Sequence, residues 1–105
     1  MTNITEMMDE VETLKERIIA FCHPVKIILF GSVASGVIHK NSDIDLCIVA
    51  DYTDKRAMLT NLYVELDSTV DLDLVLYRPD EWEKNCVEST SFAYLIHKKG
   101  TVLYG

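Results

Sequence analysis

Asp43-Ile44-Asp45-Leu46-Cys47-Ile48-Val49 decides how the chain is read. Apolar residues recur at every second position, so the stretch reads as a strand. Ile44, Leu46 and Ile48 fall on one face, and Asp43, Asp45 and Cys47 fall on the other. Val70 to Tyr77 repeats the pattern, with Val70, Leu72, Leu74 and Leu76 set against Asp71, Asp73 and Val75. Between these strands, Thr53 can cap a helix running to Leu66, with Ala57, Met58, Leu62 and Leu66 as its apolar stripe. A helix of that length between two strands favours a parallel pair with a right-handed crossover.

Upstream, Val25 to Phe30 is a short apolar run ending in Gly31-Ser32, and it reads as a buried strand. Residues 33–41 read as a loop with one helical turn, so the first two strands can lie antiparallel. Before them, Ile4, Met7, Met8, Val11, Leu14, Ile18 and Phe21 form a helical stripe. Asn3 or Thr5 can cap that helix, and Pro24 stops it. Downstream, Pro79 opens a short helix with Asp80 and Glu81 in its first turn. Val87 to Lys98 reads as a last helix stopped by Gly100, and Thr101 to Tyr104 as a final strand. The expected fold is α+β: a small mixed sheet with helices packed against it, one domain over residues 1–105.

Composition agrees. With 49% hydrophobic and 26% charged residues, the 105-residue chain is too apolar for disorder. The start of the chain shows no basic flank or apolar signal stretch, and no apolar run approaches the roughly 20 residues of a membrane helix. A cytoplasmic protein without membrane association is expected. The net charge of −7 disfavours extended nucleic acid as the main ligand. A single nucleotide carried with divalent cations remains compatible with it. Cys22, Cys47 and Cys86 are odd in number and widely spaced, so neither a disulfide framework nor a zinc site is expected.

Aspartate is disfavoured in strands, yet both acidic strands carry Asp-x-Asp on a single face. Like charges a few ångströms apart raise each other's pKa and call for a neutralising cation. The bland alternative is a solvated sheet face. Two such pairs at the same ends of adjacent strands, beside a glycine turn, argue for a site instead. Magnesium suits it, as a hard cation taking carboxylate and phosphate oxygens, and a two-ion arrangement suits in-line phosphoryl transfer. Gly31-Ser32 offers a sharp turn with bare N–H groups for a phosphate, and Gly36 lets the loop close. Other motifs fail. Val37 and Ile38 stand where a P-loop needs Lys and Ser/Thr, and no G-x-G-x-x-G is present. Ile48 stands where an EF-hand needs its glycine.

Gly31-Ser32-Val33-Ala34-Ser35-Gly36 followed by Ser42-Asp43-Ile44-Asp45-Leu46 resembles the signature of the DNA polymerase β-like nucleotidyltransferase superfamily, nearest its minimal single-domain (MNT) branch. Val70-Asp71-Leu72-Asp73-Leu74-Val75 and the closing Lys99-Gly100-Thr101-Val102-Leu103-Tyr104 extend the resemblance over nearly the whole chain. It implies that Gly31 and Ser32 cradle the phosphates of a nucleoside triphosphate. It implies that Asp43, Asp45 and a third carboxylate hold two Mg2+ ions. Asp73 is the third choice, from its distance to the Pro79-Asp80-Glu81 turn, with Asp71 in reserve. The reaction implied is transfer of a nucleoside monophosphate, AMP from ATP, to a hydroxyl. So small a chain leaves little for an acceptor pocket. The resemblance therefore points to a HEPN-domain partner, with this chain as antitoxin. Ser35 departs from the arginine common at its position, a loss of positive charge near the phosphates. Two rivals follow: a non-catalytic module that neutralises a toxin by occlusion, and a homodimeric transferase acting on a small molecule. His39 lies between the halves of the signature, where it reads as a solvated loop residue. His23 and His97 read as structural.

Overall fold

A computed structural model describes residues 4–36 and 43–105. Asn3, His39 and Ser42 lie outside the described residues. Helix α1 (Ile4–Cys22) leads into strand β1 (Lys26–Phe30), the one-turn helix α2 (Gly31–Ala34) and strand β2 (Ile44–Val49). Helix α3 (Lys55–Leu66), strand β3 (Leu72–Tyr77), helices α4 (Pro79–Asn85) and α5 (Phe92–Lys99), and strand β4 (Thr101–Tyr104) follow. Among the described residues no helix is long and apolar enough to cross a membrane.

The sheet order is β3-β2-β1-β4. β1 runs antiparallel to both β2 and β4, and β2 and β3 are parallel across the α3 crossover. The mixed sheet expected from the sequence is therefore the one observed. Both of its faces are covered. Ile27, Leu29, Ile44, Leu46, Ile48, Leu74 and Leu76 pack against Met7, Val11, Leu14 and Ile18 of α1 and Leu62 and Leu66 of α3. On the opposite face Ile28, Cys47 and Val49 meet Trp82 of α4 and Ala93 and Ile96 of α5. That second cover stops short of Asp45 and Asp73, which leaves the starts of β2 and β3 open on this side.

Several boundaries differ from the sequence reading. α1 begins at Ile4, so Thr5 lies within it. Met8 and Phe21 stay outside the core and are more than a third exposed, because Met7, Val11, Leu14 and Ile18 fill it. The cap of α3 is Asp54, whose carboxylate accepts from the Ala57 amide at 3.1 Å, rather than Thr53. Ala57 itself faces solvent, and Leu59 joins Met58 against the core. The last helix starts at Phe92, not Val87. Ser91 caps it by accepting from the Tyr94 amide and donating to the Asn85 carbonyl, which anchors the α4–α5 turn. Thr101–Tyr104 forms the predicted final strand, and it lies at an edge of the sheet.

Two side chains of α1 fix the approach to β3. Arg17 Nη1 donates to the Leu66 carbonyl at 2.6 Å and so closes the end of α3, where Asp67 turns left-handed. Glu10 accepts from the Ser68 and Thr69 hydroxyls, which ties the following loop to α1. The Ile44 amide then donates to the Asp71 carbonyl, so β2 and β3 start level with each other.

Candidate active site

The end of β1 and the starts of β2 and β3 share one rim because β1 is antiparallel to its neighbour and β3 is parallel to it. Asp45 occupies the middle. In register it lies opposite Phe30 on one side and Asp73 on the other. Directly opposed residues on neighbouring strands project to the same face, so the three side chains stand in a row. Asp45 and Asp73 are direct neighbours across β2 and β3, so their carboxyl groups crowd each other. Burial, the charge of Asp73 and then the charge of Asp43 push the Asp45 carboxyl up to about 6. Asp43, half-buried just ahead of β2, is thus close enough to act on Asp45.

Asp71 is placed differently. It shares with Asp43, Tyr63, Asp67, Ser68, Val70 and Leu72 a cleft of about 460 Å³ beside the rim. Asp45 stands opposite Asp73, not Asp71, and Asp71 is not among the charges that shift it. Period two placed both residues on one face; only the register separates them.

Gly31 follows Phe30 directly at φ +76°, in the region that favours glycine. A Cβ there would collide with the Asp45 carboxylate. The glycine thus does more than bare its own N–H: it makes room for the central carboxyl of the rim. Ser32 is half-buried in the α2 turn. The exposed Ser35 turns its hydroxyl inward, donating to the Ser32 carbonyl at 2.9 Å. It stabilises its own turn and brings no positive charge to the rim.

Among the described residues, no three His, Cys, Asp or Glu side chains are gathered as a ready-made metal cage. The chemistry of the donors nonetheless fits magnesium. Asp43, Asp45 and Asp73 offer hard carboxylate oxygens, and the mutual repulsion that raises the Asp45 carboxyl is what a cation there would relieve. Phe30 is the neighbour that the sequence reading missed. Its signal was available: a residue one before the glycine turn, on a strand antiparallel to the Asp-x-Asp strand.

Residues 12–105 match the family described as Polymerase beta, Nucleotidyltransferase, and the chain belongs to that family. A crystal structure of a toxin–antitoxin with AMP-PNP contains a chain similar to this one. The two are 28% identical and superpose with a TM-score of 0.54, over 90% of this chain and 69% of that one. No curated protein matches this chain.

Proposed function

We propose that the chain is a magnesium-dependent nucleotidyltransferase that moves AMP from ATP onto a hydroxyl of a partner protein, as the antitoxin of a HEPN/MNT pair. The observation that carries this reading is the Asp45–Asp73 carboxyl pair, with Asp43 beside it and Gly31 cleared away above it, in a member of this family. The similar chain in a toxin–antitoxin with AMP-PNP supports a protein partner and an ATP-like substrate. The HEPN character of the partner rests on the resemblance to the minimal branch.

Asp43, Asp45 and Asp73 would hold the ions. Bound magnesium supplies neutralisation of the triphosphate and a lowered pKa for the attacking hydroxyl. The chain's own contribution is positional. Gly31 keeps the Asp45 carboxyl uncovered, and the Gly31-Ser32 turn receives the phosphates. Transfer forms the bond from the acceptor oxygen to the α-phosphorus and breaks the bond to the departing pyrophosphate. The hydroxyl proton is released, and no covalent link to the chain is formed.

Ser35 favours a second reading, in which the fold is kept and the partner is silenced by occlusion, since its hydroxyl is spent on the Ser32 carbonyl. One assay separates the two. The protein is incubated with labelled ATP, magnesium and the product of the adjacent gene, alongside an Asp43→Asn/Asp45→Asn double variant. Label on the partner that disappears with the double variant is the expected result. Inhibition without label would establish occlusion, and label on a small metabolite would establish the homodimeric small-molecule transferase.

A further inference from the structure

The carboxylate rim has a different neighbour on each side. On one side lies the cleft lined by Asp43, Asp67 and Asp71, an anionic wall. Its ring, Tyr63, has its hydroxyl engaged by the Leu74 amide at 3.0 Å. On the other side lies Phe30, opposite Asp45, and beyond it Phe92. The two phenyl rings meet edge to face, with centroids 5.6 Å apart and planes at 84°.

Phe92 is 51% exposed, although it is the first residue of α5 and is held in place by the Ser91 cap. The helix buries Ala93 and Ile96 against the sheet, so the core does not require Phe92. An exposed aromatic on a fixed backbone thus stands just past Phe30, the direct neighbour of Asp45. A nucleotide has the same layout: phosphates for a cationic centre, one ribose, then a flat base. We propose that Phe92, seated on Phe30, is the stacking platform for the base of the nucleotide.

This inference rests on the nucleotidyltransferase reading and adds to it the place of the base. Stacking on a phenyl face tolerates any base and favours the larger purine surface.

The test is titration calorimetry with magnesium, using two probes: AMP-PNP, and inorganic tripolyphosphate, which has no base. Phe92→Ala should weaken AMP-PNP about tenfold and leave tripolyphosphate unchanged. Phe92→Trp should restore AMP-PNP binding. Equal AMP-PNP affinity in wild type and Phe92→Ala would overturn the inference while leaving the transferase reading intact. So would an equal loss for both probes. Failure of the wild type to bind either probe would overturn both. Thermal melting of each variant verifies that it is folded.

Discussion

Asp45→Asn is expected to cut nucleotide transfer steeply and, in the metal-free protein, to raise the melting temperature. The two effects have one cause. Asp45 sits half-buried against Asp73 with Asp43 nearby, and its carboxyl is pushed up to about 6, chiefly by burial and then by those charges. A carboxyl with a raised folded pKa binds protons more readily in the native state than in the unfolded chain. Stability without metal therefore falls as pH rises from about 4 to about 6, then levels off. Asparagine never ionises and escapes that penalty. Discounted for its partial exposure, the gain at pH 7 is about 1 kcal/mol, or roughly 4–8 °C. Removal of a central carboxylate should at the same time cost on the order of 10³ in transfer rate. Melting curves from pH 4 to 8, with the labelled-ATP assay on the same samples, check both halves. An Asn variant that melts lower at pH 7 would contradict the electrostatic account.

Gly31→Val should disable the protein by a separate route. Two costs coincide at this position. The backbone at φ +76° is unfavourable for any side chain, by about 1–2 kcal/mol. The new Cβ must also displace the Asp45 carboxylate. Transfer should fall by about 10² or more, because even an ångström of misplacement at the reacting centre is that costly. Gly36 supplies the control. It has a similar φ of +82° but nothing within 4 Å of a built Cβ. Gly36→Ala should therefore lower the melting temperature by several degrees and retain transfer. If both substitutions cost activity equally, backbone strain rather than room for Asp45 is what Gly31 provides.

The strands were legible because alternation is a two-residue signal that one turn residue does not blur, although the place of β4 beside β1 was not. Ile44, Leu46 and Ile48 could only face a core, and the α3 crossover left a parallel partner as the natural arrangement. Helix starts were less legible. Thr53 and Asp54 are both good caps, and only the Asp54 contact with Ala57 distinguishes them. Val87 lies in a turn because Ser91 competes for the start of α5, a choice made by the tertiary position of Asn85. At the site, the strand that carries Asp45 was readable, but Asp71 and Asp73 were not separable by period. Their difference is one of register, set where Arg17 and Glu10 tie down the loop before β3. The contact between Gly31 and Asp45 joins two strands and has no local signature.

The central claim is that Asp43, Asp45 and Asp73 act together as a seat for divalent cations. Its most direct measurement is Mn2+ binding, followed by electron paramagnetic resonance in the presence of AMP-PNP. Wild type and Asp71→Asn should bind the ion alike, and Asp45→Asn/Asp73→Asn should lose it. Undiminished Mn2+ binding by that double variant would contradict the account.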